Sequence, residues 1–380
     1  MNRIEPTTAE RPAREAGDTV YTPAPTSRRA VRVLWWSARF LAALFLFVGA
    51  LQVMKTGAAG LDVLQSGGAL VKNWASTLGL GWIGALLVMS GSPIAASALT
   101  LVDGNAISQL EGFTMLTGSR LGAAFVVLMV AVIYATRGGS GQRMAPVSTA
   151  VMALVTTAII YIPGAIIGFL LLQWGPFTEL NISFPAQFSD LLDLVYGGLL
   201  GRIESWPGWL LFLGGLGILL ISFKLIDSVV PELSGTDIEN KRLGWLRRKW
   251  PMFGLGCLVA LVAMSVSVAL TVLVPLVTKG LVKREDIVPY IMGANITTLG
   301  DTLLAAFLLG SAAAVQIVLA GIIGTTIVSV ALLTFAYPQL RRAIWRFQRQ
   351  MVKSKSRLAV FAAALFAVPI AIIAVAGLAG

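Results

Sequence analysis

Two clusters of small hydroxyl residues interrupt long apolar runs: Ser90-Gly91-Ser92-Pro93 and Ser265-Val266-Ser267. Two further polar points, Gly118 and Gly293-Ala294-Asn295-Ile296-Thr297-Thr298, lie within the next apolar stretches. Unwound backbone at such places exposes amides that suit an anion, while carbonyls and Ser/Thr oxygens suit Na⁺. Two ionisable residues stand near them. Arg120 is two residues past Gly118, and Asp301 is eight past Gly293. Charges at membrane depth are costly and are usually paired or functional. Arg120 has three readings: it holds an anionic substrate, replaces a coupling cation, or neutralises Asp301. Histidine is absent, which removes imidazole acid–base catalysis, metal ligation and proton relays. The one cysteine, Cys257, sits in an apolar run and excludes an intrachain disulfide and thiolate clusters.

The elements that position these residues follow from composition. The chain has 380 residues, 57% hydrophobic and 12% charged, against about 25% charged in an ordinary soluble domain. This is an all-α polytopic membrane protein. The apolar runs are continuous, which disfavours a transmembrane β-barrel. Net charge is +11, but the basic residues fall in a few polar segments between apolar runs. That pattern marks cytoplasmic loops rather than nucleic-acid binding.

Nine apolar stretches occur, at 35–54, 78–102, 111–134, 146–173, 208–230, 251–277, 287–311, 314–337 and 358–379. Residues 1–34 read as a disordered cytoplasmic tail with six Lys/Arg, residues 231–250 carry five and residues 338–357 carry seven. Residues 174–207 carry only Arg202 with four acids. The N-terminal tail and the loops at 135–145, 231–250 and 338–357 belong inside and 174–207 outside. Nine full crossings cannot satisfy that arrangement. One stretch between 55 and 135, and one between 250 and 338, must return to the side it entered.

A shift of 175 residues shows which ones. Gly79-Leu80-Gly81 meets Gly254-Leu255-Gly256, and Met89-Ser90-Gly91-Ser92 meets Met264-Ser265-Val266-Ser267. Over 79–118 there are 11 identities in 40 positions without a gap. The reading is two inverted repeats, each with a re-entrant hairpin (78–102 and 251–277) followed by a broken helix (111–134 and 287–311). Each hairpin turns at its serines near the bilayer midplane; the first turn falls at Ser90–Pro93. The first repeat covers 35–207 and the second 208–337. Residues 338–380 form a basic loop and a C-terminal transmembrane helix. Seven full spans remain, with the N-terminus cytoplasmic and the C-terminus outside. Inverted repeats with broken helices and midplane sites are the pattern of secondary transporters.

These motifs resemble the sodium/phosphate cotransporter family, whose repeats each carry Gln-Ser-Ser-Ser followed by Gly-(Ala/Ser)-Asn-Ile-Gly-Thr. The spacing of 26 residues from the last motif serine to the glycine is matched by Ser92 to Gly118 and by Ser267 to Gly293. Leu44-Phe45-Leu46-Phe47, with Met54 and Gly57, is similar to the family's opening helix. Met89 and Met264 stand in place of both glutamines, Gly91 and Val266 replace the middle serines, and Arg120 stands where the first copy would have asparagine. The resemblance implies Na⁺-coupled phosphate symport by alternating access in an inner (plasma) membrane. Matched residue by residue, it implies a site of Ser90, Ser92, Ser265, Ser267, Asn295, Thr297 and Thr298, to which Arg120 and Asp301 are added from their own chemistry. Gly91, Pro93, Gly118 and Gly293 are the backbone breaks. Ser92, Ser267, Asn295 and Thr298 are the candidate sodium ligands.

No cofactor, catalytic group or nucleic-acid partner is expected; the partners are the bilayer, sodium, phosphate and, as an option, a second copy. Rival readings are a sodium-independent exchanger of another anion, a membrane lipid-phosphate enzyme, and a non-transporting regulator. The enzyme is disfavoured because no carboxylate cluster lies near either serine pair.

Overall fold

The computed structural model describes residues 26–58, 60–61, 67–68, 70–137, 144–179, 186–229, 248–263, 269 and 282–379. Residues 1–38 and 39–380 form two units, and the packing that follows is that of the second. Among the described residues the structure is helical, with no strand. Seven helical spans among the described residues, including Val288–Leu309, which is made of two helices in succession, are long and apolar enough to cross a membrane.

The first helix, α1 (Thr26–Ala58), starts earlier than the sequence suggests. Residues 26–34, expected in a disordered tail, are helical. No proline or glycine follows Pro25 until Gly49, so nothing breaks a helix there. Helix α2 (Trp74–Val88) begins at a capping box. The Asn73 carboxamide oxygen accepts from the Ala75 and Ser76 N–H groups at 3.0 and 3.1 Å, and Ser76 Oγ accepts from the Asn73 N–H at 3.1 Å. It ends at Met89, which takes left-handed backbone angles (φ 56°). Helix α3 (Ser92–Asp103) restarts three residues later with Pro93 in its first turn, where a missing N–H costs nothing. At 15 residues α2 is about 22 Å long, short of a full bilayer core.

Helix α4 (Gln109–Arg137) and helix α5 (Met144–Gln173) are long, apolar and adjacent. Helix α6 (Ala186–Ile203) lies within a segment that reads as a polar connection, and α7 (Gly208–Val229) follows. Helix α8 (Lys249–Ala263) packs along α9 (Val288–Thr297), which continues after Thr298 into α10 (Leu299–Leu309). Ser311 caps α11 (Ala312–Ala331), its hydroxyl accepting from the Ala314 N–H at 3.4 Å. A five-residue π-helical segment, Leu332–Ala336, joins α11 to α12 (Tyr337–Val352), and α13 (Lys355–Ala379) completes the described chain.

The basic segment 338–357, expected as a loop, is helical over most of its length. Leu340, Ile344 and Gln348, spaced by four, bury one face of α12, and Arg342, Arg346 and Arg349 stay exposed. A charge count sees the seven cations and overlooks this period.

Glycine sets the closest helix contacts. A Cβ built on Gly81 of α2 would lie 2.0 Å from the Met115 carbonyl oxygen of α4, and one on Gly118 of α4 would lie 2.0 Å from the Leu78 oxygen of α2. On α8 and α9, Gly256 meets the Tyr290 oxygen at 2.1 Å and Gly293 meets the Phe253 oxygen at 2.2 Å by the same construction. Each residue of the second pair of contacts stands 175 positions after its counterpart in the first.

This overturns the expectation that Gly118 and Gly293 break their helices. Helix α4 runs unbroken through Gly118, and Gly293 lies inside α9. Both glycines let two backbones approach where a side chain would collide. The interruption comes at Thr298, between α9 and α10. Met264, Ser265, Val266 and Ser267, with the rest of the expected second turn, lie outside the described residues.

Candidate ion-pair site between α4 and α10

The site begins with a charge that cannot stay alone. Arg120 lies two residues past Gly118, on a stretch of α4 with no other ionisable group before Tyr134. Its guanidinium is buried, with 2% of the side chain exposed, and Asp301 on α10 is buried to 1%. The two meet at 3.2 Å, Arg120 Nη2 to Asp301 Oδ1. Each offsets part of the desolvation cost of burying the other.

Thr302 completes the contact. Its hydroxyl donates to Asp301 Oδ1 at 2.8 Å and accepts from Arg120 Nη2. From α3, Ser92 Oγ stands 3.5 Å from Arg120 Nη1, at the outer limit of a hydrogen bond. Two polar atoms of the pair stay without a hydrogen-bond partner among the described residues: Arg120 Nε and Asp301 Oδ2. A cavity of about 30 Å³ reaches Asp301. Phe40, Leu44, Phe47, Phe223, Ile226 and Leu304 form the rest of its lining.

A second polar cluster lies on the neighbouring α9. Asn295 Nδ2 donates to Thr157 Oγ1 at 3.0 Å and to the Ile291 carbonyl at 2.9 Å. The Tyr161 hydroxyl donates to the Asn295 carbonyl at 2.8 Å, and Thr298 Oγ1 donates to the same oxygen at 3.1 Å. Tyr161 is fully buried and within electrostatic reach of both Arg120 and Asp301. Thr297 turns away, its hydroxyl donating to the Cys257 carbonyl on α8 at 2.9 Å.

Of the residues singled out in the sequence, Ser92, Arg120 and Asp301 come together. Asn295 and Thr298 form the second cluster, and Thr297 belongs to the α8–α9 contact. Ser90 is half-buried, and among the described residues its side chain does not join the pair. Gly91 and Pro93 flank Ser92 at the start of α3. Three participants were not anticipated. Thr302 follows Asp301 directly, while Thr157 and Tyr161 are polar interruptions of the apolar stretch 146–173.

An apolar cleft lies elsewhere. It measures about 460 Å³, between α2, α4 and α5, and is lined by groups such as Trp74, Phe113, Ile166 and Phe169. No ionisable side chain lines it. Among the described residues no group of three or more Cys, Asp or Glu side chains converges as a metal site would require.

Comparison with known protein families, with curated proteins and with solved structures finds no match to this chain.

Proposed function

We propose that this chain is a secondary transporter of a small inorganic anion, with inorganic phosphate the first substrate to test. In this reading 35–207 and 208–337 are two inverted repeats in an inner (plasma) membrane, and the turns near Ser90 and Ser265 are re-entrant tips. The N-terminus faces the cytoplasm and the C-terminus faces outward. Support for the repeat comes from the paired backbone contacts at Gly81, Gly118, Gly256 and Gly293, each set 175 positions from the other.

The observation that carries the reading is the buried Arg120–Asp301 pair, whose two partners come from different repeats. Arg120 occupies the position that corresponds to Asn295 in the second repeat. A guanidinium can bind an oxyanion in two-pronged geometry. Here it is held in reserve by a carboxylate on a helix that alternating access would move relative to it. Charge balance then sets a requirement. The pair is neutral, so an anion enters without cost in net charge only if one cation enters with it. Sodium is the coupling ion that the sequence resemblance implies.

The test is uptake of radiolabelled phosphate by proteoliposomes of the purified chain, measured with imposed sodium, pH and electrical gradients. Saturable uptake under any of them supports transport. No phosphate flux under all three overturns it.

A further inference from the structure

We infer that the coupling ion is a proton, taken up by the Asp301 carboxylate at Oδ2, and that its arrival frees Arg120 to bind the anion. The inference rests on the transport reading above and deepens it.

The two atoms without partners are complementary. Asp301 Oδ2 is an acceptor that could take a proton, and Arg120 Nε is a donor that could face an oxyanion. Both belong to one pair, buried to 1% and 2%. Adding a proton at Oδ2 converts the carboxylate to a neutral acid. Arg120 keeps its own proton and its positive charge, and it loses its counter-ion. An oxyanion then restores neutrality at the guanidinium. On the opposite side the anion leaves, Oδ2 releases its proton, and Arg120 returns to Asp301. One proton and one negative charge cross together, and no charge is left in the core in either form. An anion arriving alone would compete with a carboxylate already seated 3.2 Å from the guanidinium.

The surroundings favour a proton over Na⁺. The cavity that reaches Asp301 has about 30 Å³, enough for a water molecule. Among the described residues, its lining side chains apart from Asp301 are apolar, three of them phenylalanines. A dehydrated alkali cation needs a shell of several oxygens, and that lining offers one carboxylate. Three of the four residues expected to hold sodium lie among the described residues, and each is engaged elsewhere. The Thr298 hydroxyl donates to its own helix, the Asn295 carboxamide is turned to Thr157 and Ile291, and Ser92 faces Arg120.

The other ionisable groups leave the exchange between two partners. From α4, Arg120 faces Asp301; from α5, Tyr161 lies within reach with its hydroxyl donated to Asn295. Helix α3 presents Ser92, and its Asp103 is paired with Lys55. Helices α1 and α7 present apolar side chains at the cavity. Helix α11 has no ionisable residue, and on α9 the one such group, Tyr290, donates to the Ala269 carbonyl.

The test uses the full chain in proteoliposomes with inorganic phosphate as the probe. An outward-acid pH gradient of one unit, without sodium, is expected to drive accumulation of roughly tenfold, since one unit of pH is a factor of ten in proton activity. That accumulation is expected not to respond to a membrane potential set with potassium and valinomycin, because the coupled step is electroneutral for a singly charged anion. Uptake driven by sodium at equal pH, or uptake that follows voltage and ignores pH, overturns proton coupling and leaves transport standing. No flux of phosphate under any gradient overturns both. Asp301→Asn fixes the residue in a neutral form and is expected to retain phosphate flux that now follows voltage instead of pH. The arms on the unaltered chain decide the matter if that variant does not fold.

Discussion

The backbone of Gly118 rests against the main-chain carbonyl of Leu78, so closely that a methyl group added there would lie 2.0 Å from the oxygen. No side chain on either helix can relieve that overlap, because one of the two groups is backbone. Gly118→Ala is therefore expected to force α2 from α4 and to destabilise the fold by about 1–3 kcal/mol. Gly293→Ala, against the Phe253 carbonyl at 2.2 Å, should behave alike. Gly197→Ala has nothing within 4 Å and should leave stability unchanged or slightly raised, through helix propensity. Thermal unfolding in detergent, followed by dye labelling of Cys257, separates the three. Equal melting temperatures for Gly118→Ala and Gly197→Ala would remove the close-contact explanation.

Arg120 and Asp301 should be interdependent. Either Arg120→Met or Asp301→Leu alone leaves one uncompensated buried charge, and each is expected to cost about 3–5 kcal/mol. The double replacement Arg120→Met with Asp301→Leu removes both charges and should recover most of that loss. A double-mutant cycle on urea or thermal stability reads the coupling directly. Simple additivity of the two single effects would show that the pair does not interact.

The Tyr161 hydroxyl tests the second cluster. It donates to the Asn295 carbonyl at 2.8 Å in a fully buried setting. Tyr161→Phe should cost about 0.5–1.5 kcal/mol, the net value of one hydrogen bond. Thr297→Val, which removes the hydroxyl bond to Cys257, should cost a similar amount and additively, since it lies in a different contact. Stability of the two single variants and the double variant is the measurement.

Orientation can be read with one cysteine at a time. In a Cys257→Ser background, Ser205→Cys should react with an impermeant thiol reagent on intact cells. Arg346→Cys on the exposed side of α12 should react only after the membrane is opened. The opposite accessibility would invert the assigned topology.

Hydropathy made the seven membrane-length spans legible, because each carries a long, mostly apolar run. It did not reveal α6 or α12, whose charges disguise a helical period, as Leu340, Ile344 and Gln348 show. Arg120 and Asp301 stood out as charges at the wrong depth, and both are in the site. Thr302 and Tyr161 did not, since a hydroxyl in an apolar run gives no sign of which neighbour it will reach. Their partners are set by how α4, α5, α9 and α10 pack. Gly118 was misread for a related reason. A glycine that loosens a helix and one that lets another helix approach look the same in sequence, and only the Leu78 carbonyl distinguishes them.

Those glycine contacts also say where the molecule can yield. A carbonyl lodged in the space of a missing side chain acts as a key in a slot, and sliding α2 along α4 would drive it into the next residue's Cβ. Helices α2 and α4 are thus locked in register, as are α8 and α9. A moving joint has to fall where side chains, not backbones, meet. Between α4 and α10 that joint is a guanidinium, a carboxylate and one hydroxyl, which can part and re-form without unwinding a turn of helix.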